Sequence, residues 1–171
     1  MTRPPFDPAS DADIAILSAQ LGRPVRDVIG IAARCVCGAP TVVATAPRLT
    51  DGTPFPTLYY LSHPAATAAL SYLEATQVMN EFTDLLANDS DVHERYGQAH
   101  EFYLADRESI AVVPEIEGIS AGGMPVRVKC LHALAAHSLA AGPGVNPIGD
   151  LALERAHWSP TVCECLDYSG R

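Results

Sequence analysis

The stretch Val28-Ile29-Gly30-Ile31-Ala32-Ala33-Arg34, then Cys35-Val36-Cys37-Gly38-Ala39-Pro40, then Thr41-Val42-Val43-Ala44-Thr45-Ala46 decides the fold. Two short runs rich in β-branched residues flank a turn, so residues 25–34 and 41–46 read as strands. Residues 48–56 hold Asp51-Gly52 and two prolines, which make a loop, and Thr57-Leu58-Tyr59-Tyr60-Leu61-Ser62 follows as a third strand. Strands this short and this closely joined form an antiparallel meander.

Around the meander the periodicity is helical. Asp11 is placed to cap a helix ending near Leu21, with Ile14, Leu17 and Leu21 on one stripe. Leu70, Leu73, Met79, Phe82, Leu85 and Leu86 mark one helix or two abutting ones. After the break at Asn88-Asp89-Ser90, a helix over 91–108 sets His100, Tyr103, Leu104 and Arg107 along one face. Residues 112–119 read as extended. The turn Gly122-Gly123-Met124-Pro125 is expected to open a long helix running to Ala141, with Pro125 at its first position. A short helix follows near Leu151–His157. The class is α+β, a small three-stranded antiparallel meander covered by about four to five helices. Residues 1–10 form an N-terminal segment expected to be mobile, 11–157 a single domain, and 158–171 a tail in which Trp158 and Cys163-Glu164-Cys165 can fold back as a cap or dock a partner.

Nearly half of the 171 residues are apolar, a globular balance. A formal charge of −9 with only 11 basic residues excludes a general nucleic-acid binder. No run approaches the roughly 18–20 apolar residues of a membrane span, and the start of the chain lacks the apolar core of a signal peptide. A cytosolic location follows as the expectation. There, the five cysteines are reduced thiols or metal ligands rather than disulfides.

Lys129 is the only lysine, set in Arg127-Val128-Lys129-Cys130-Leu131-His132. A desolvated lysine can act as base or nucleophile, which arginine cannot. On the expected helix, Lys129 and His132 share one flank and Cys130 and His137 another. Lys129, His132 and His137 are the candidates for proton transfer. Ser120, Gly122, Gly123 and Arg127 make a candidate anion site, where glycine backbone and a helix N-terminus could hold a phosphate or carboxylate. His100 and Arg107 form a polar cluster suited to lining a pocket. A zinc or iron site is the other candidate, because alternating strand directions bring the end of the first strand (Cys35, Cys37) and the end of the third (His63) to one end of the sheet. Cys130 would be the fourth ligand. His93-Glu94-Arg95-Tyr96-Gly97 lacks the second histidine of a zinc-protease helix and is set aside.

Several of these motifs together resemble the bacterial DUF501 family: Cys35-x-Cys37-Gly38-x-Pro40, residues 55–61, Ser120–Pro125, residues 128–134, Ala136-His137 and Gly144-Val145-Asn146-Pro147. The resemblance covers roughly residues 20–150 and implies an actinobacterial-type cytosolic protein of unknown function. It also implies that cysteine can stand where this chain has His63, an exchange a metal ligand tolerates. Two functional readings follow. One is a protein or enzyme for a small anionic ligand, with its pocket at the Gly122-Gly123 turn and Lys129. The other is a non-catalytic metal-stabilised module that meets a protein partner.

Overall fold

The computed structural model describes residues 4–165, so the expected mobility of Met1–Arg3 and of Asp167–Arg171 lies outside the described residues. Strand β1 (Val28–Arg34) pairs antiparallel with β2 (Pro40–Thr45), and β2 pairs antiparallel with β3 (Tyr59–Leu61), in the order β1-β2-β3. Strand β2 is buried along its whole length, so both of its faces need apolar cover. Helix α1 (Asp11–Leu21) supplies one side, where Leu17, Ile31 and Val43 form a small cluster. Helix α5 (Leu131–Ala141) covers the other, with Leu131, Leu134 and Ala135 packed among Val42, Ala44 and Tyr59 in the main core. Helices α2 (Pro64–Ala75), α3 (Val78–Asn88), α4 (Ser90–Glu108) and α6 (Pro147–Arg155) complete that layer, with a 3-10 turn at Pro114–Ile116. The described residues thus form an α+β fold of three antiparallel strands and six α-helices.

Several local readings shift. Ser10, not Asp11, caps α1: its hydroxyl accepts from Asp13 N–H while the Asp13 carboxylate accepts from Ser10 N–H, a reciprocal capping box. Of the two alternatives for the 64–88 stretch, the structure has the two abutting helices, divided where Gln77 adopts a left-handed conformation (φ 65°) between α2 and α3. Residues 112–119, expected to be extended, contain the 3-10 turn instead. The last helix starts four residues earlier than expected, at Pro147, with Asn146 capping it through Gly149 N–H.

The largest difference lies at residues 122–130, expected to be helical. Gly122 and Gly123 both take positive φ (68° and 96°), and the Gly122 carbonyl accepts from Lys129 N–H at 2.7 Å and Cys130 N–H at 3.3 Å. That closes a compact loop, in which Val128 is buried and Val126 exposed, and the helix begins only at Leu131. Lys129 and Cys130 are therefore not helical, and the flank assignment made for them does not apply.

Both flanking segments make contacts with the domain where they are described. Phe6 packs edge-on against Tyr59 with ring centroids 5.9 Å apart, and Ile31 N–H donates to the Asp7 carbonyl at 2.8 Å. After α6, Trp158 is buried against His63, ring centroids 5.0 Å apart, and residues 159–165 run back to the β1–β2 turn.

Candidate metal centre and neighbouring cavity

The β1–β2 turn is a rigid platform. Cys35 N–H donates to the Ala39 carbonyl at 2.9 Å and Gly38 N–H to the Cys35 carbonyl at 2.8 Å, with Gly38 at φ 90°. Arg34, the last residue of β1, grips both Asp13 carboxylate oxygens at 2.7 and 3.2 Å and also donates to the Gly38 carbonyl at 3.0 Å. This pair holds the Asp13 carboxyl at about 2, with the Arg34 hydrogen bond as the largest cause. Across the turn, Val36 N–H donates to the Pro160 carbonyl at 2.8 Å, which lays the 158–165 segment alongside it.

That register brings four sulfurs together. The Sγ atoms of Cys35, Cys37, Cys163 and Cys165 all lie within 4.8 Å of one another. The Cys37–Cys165 separation of 3.4 Å is far beyond a disulfide bond, and all four are free thiols. Zinc–sulfur bonds of about 2.3 Å in a tetrahedron place sulfurs about 3.8 Å apart, which falls within this spread. The Ala39 backbone N–H, together with the Cys165 thiol, draws Cys37 down to about 7. Burial pushes Cys35 and Cys165 up. Four thiolates this close repel one another, and a dication at their centre is what would let all of them ionise.

His63 stands beside this group rather than within it. Its Nδ1 accepts from Ala66 N–H at 3.4 Å as the N-cap of α2, so the ring proton sits on Nε2, which points at Cys165 Sγ 3.3 Å away. The imidazole is fully buried, and burial lowers its pKa, keeping it neutral. An N–H donated to a sulfur is the usual outer partner of a metal-bound thiolate. The sheet end expected for Cys35, Cys37 and His63 is thus where the structure brings all three. Cys130 is elsewhere, and Cys163 and Cys165 complete the sulfur group. Cys163 and Cys165 were not among the expected ligands; the repeat of the Cys-x-Cys spacing is the sequence signal that links them to Cys35 and Cys37.

Cys130 belongs to a second group, with Glu74 and His132, again with ligand atoms within 4.8 Å. Cys130 is the N-cap of α5 and His132 its second residue, while Glu74 comes from the last turn of α2. His132 Nδ1 is 3.0 Å from Glu74 Oε1 and 4.0 Å from Cys130 Sγ. Its Nε2 is 3.1 Å from both the Thr67 carbonyl and Ser71 Oγ. The Cys130 sulfur, the Glu74 carboxylate and the Thr67 carbonyl raise His132 to about 9 against the opposing effect of burial. Glu74 Oε1 also accepts from Leu131 N–H at 2.7 Å, capping α5 from a neighbouring helix. Cys130 and His132 line a cavity of about 870 Å³ together with Ser62, Thr67, Ser120 and Gly122.

The remaining candidates separate. Lys129 and Arg127 are exposed, and Lys129 is not among the residues lining this cavity, so the desolvation asked of it is not there. The Gly122-Gly123 turn does not lead directly into a helix, since α5 begins only at Leu131. A Cβ at Gly122 would fall 2.5 Å from Leu134 Cδ2 and one at Gly123 2.5 Å from the Arg127 carbonyl, so the chain itself makes the close approach. His100 Nδ1 is 2.8 Å from Ser120 Oγ, both buried, which pins Ser120 at the cavity wall. Arg107 is buried and donates to the carbonyls of Pro56, Ile116 and Ile119, stitching two loops together. His137 is fully buried, stacked on Tyr59 at 5.7 Å and edge-on to Tyr103 at 5.1 Å, with Nδ1 3.2 Å from the Asn146 amide.

A family model described as a protein of unknown function, DUF501, matches residues 31–154. The chain belongs to the DUF501 family. The matched stretch holds Cys35, Cys37, His63, Glu74, Cys130 and His132, and stops before Cys163 and Cys165. No curated protein and no solved structure matches the chain. Among the described residues, no helix is long and apolar enough to cross a membrane.

Proposed function

We propose that this DUF501 chain is a metal-stabilised domain in which Cys35, Cys37, Cys163 and Cys165 hold one structural zinc ion. The observation that carries this reading is the convergence of four free sulfurs from two segments far apart in sequence. Apolar burial does not account for it, since residues 161–164 are exposed. Four thiolates complete a tetrahedral sphere and leave no position for substrate, the arrangement of a structural rather than a catalytic ion. Iron also accepts four sulfurs. Zinc would leave the protein colourless and iron would not. The ion's work is to clamp the 158–165 segment across the β1–β2 turn and, through His63, to fix the start of α2.

Elemental analysis of protein purified without chelator tests this. One zinc per chain is expected, lost in Cys163→Ser and in Cys35→Ser. Absence of metal in the wild-type protein, with thiol titration revealing two disulfides, would overturn the reading.

A further inference from the structure

We propose that Glu74, Cys130 and His132 form a second metal site, with three protein ligands and one coordination position open to the adjoining cavity. It shares no donor with the four-cysteine group and does not rest on that reading.

The donor set is a thiolate, an imidazole and a carboxylate, each an ordinary zinc ligand, and three such ligands plus water is the make-up of reactive rather than structural zinc. Their ligand atoms are already within 4.8 Å of one another. The outer contacts favour the same reading. The Thr67 carbonyl can only accept, so it keeps the ring proton on His132 Nε2 and leaves Nδ1 to face Glu74 and Cys130. A metal-bound histidine donates its other N–H to a backbone carbonyl in just this manner. Leu131 N–H similarly fixes the Glu74 carboxylate at 2.7 Å. Two of the three ligands are thus oriented by partners that an ion would not displace. An ion would take the place otherwise filled by the proton that His132 shares with Glu74.

The fourth side is open. Cys130 and His132 are half-buried, and the cavity of about 870 Å³ beyond them is lined by Ser62, Thr67 and Ser120 together with apolar residues such as Leu61 and Ala133. The volume falls in the range of small-molecule sites. The ligand class that fits is a small molecule presenting an anionic oxygen to the ion, with its apolar part against the β3 side of the cavity. One helix passes both groups. Helix α2 is capped by His63, in contact with Cys165, and carries Thr67 and Glu74 further along.

Cobalt titration of the full, metal-stripped chain, followed by visible and near-ultraviolet absorption, tests the proposal. Wild type should take up two equivalents, one with the intense sulfur-to-metal charge transfer of four thiolates and one with the weak signature of a single thiolate. Acetohydroxamate should shift only the weak signature, because only that ion has an open position. His132→Gln and Cys130→Ser should each remove the weak signature while leaving the strong one and the circular dichroism unchanged, and Cys163→Ser should do the reverse. Should Cys130→Ser fail to fold, wild-type stoichiometry and His132→Gln decide. Uptake that stops at one four-thiolate equivalent, or a weak signature unaltered in His132→Gln, overturns the proposal. If only the four-cysteine reading is wrong, the weak signature remains and the strong one is missing.

Discussion

If the four cysteines hold zinc as proposed, stripping the metal should release residues 159–165 while leaving the rest of the fold in place. Fixing a backbone residue costs about 1–2 kcal/mol, so ordering these seven residues costs roughly 7–14 kcal/mol. Their own burial offsets little, because residues 161–164 are exposed. A structural zinc contributes about 10–16 kcal/mol of apparent binding free energy at neutral pH, enough to offset that ordering. Trp158 behaves differently. It is 5 % exposed, and burying an indole of about 150–250 Å² at ~25 cal/mol per Å² contributes up to about 4–6 kcal/mol without any ion. The break should therefore fall just after Trp158. Hydrogen exchange with and without chelator reads it directly, through the Val36 amide, whose bond to the Pro160 carbonyl is 2.8 Å. Its protection should vanish in metal-free protein, and proteases should gain access to 159–165, while the amides of β2 stay protected. Continued protection of Val36 in protein shown to contain no metal would refute the reasoning.

Other perturbations separate structural roles from site roles. Asp13→Asn should lower stability by about 1–2 kcal/mol at neutral pH, discounting the full linkage value because Arg34 is partly solvated. Since the folded Asp13 titrates at about 2 against 3.8, the wild type keeps this contribution above about pH 4 and loses it as pH falls toward 2. Acid denaturation curves should show that sensitivity flattened in the variant, and parallel curves would contradict the assignment. Arg107→Lys should cost about 2–3 kcal/mol in urea denaturation, because one ammonium cannot serve the carbonyls of Pro56, Ile116 and Ile119 together; a neutral result would return Arg107 to the list of ligand-binding groups. Gly149→Ala should cost about 3 kcal/mol, since its Cβ would run into the Leu134 carbonyl and Ser138 hydroxyl of α5. An unchanged melting temperature there would mean that α5 and α6 can separate freely.

The sheet was legible because the β-branched runs stop at a turn rich in glycine and proline, and because three short strands leave little choice but a meander. The gathering of Cys35, Cys37 and His63 at one sheet end was legible for the same reason, since it needs only strand direction. The start of α5 was not. Gly122-Gly123-Met124-Pro125 has the composition of a helix entry, but Lys129 N–H and Cys130 N–H close back on the Gly122 carbonyl, a bond across seven and eight residues that periodicity does not encode. Glu74 was invisible for a different reason: it is one acidic residue on a helix, and only the packing of α2 beside α5 makes it a cap and a partner for His132. The rarity of lysine drew attention to Lys129, yet the residues that share a polar cluster with Glu74 are Cys130 and His132, one and three positions further on.

The sulfur group has a consequence for biosynthesis. Cys37 leaves the ribosome 128 residues ahead of Cys165, so half of the proposed ligand set exists long before the other half. During that interval the nascent hairpin presents the two thiols of Cys35 and Cys37 with no sulfurs from 163 and 165 to meet them. The chain must therefore either keep this pair reduced until translation reaches the second Cys-x-Cys, or carry an ion on a half-built site whose last two ligands arrive when nearly everything else has folded.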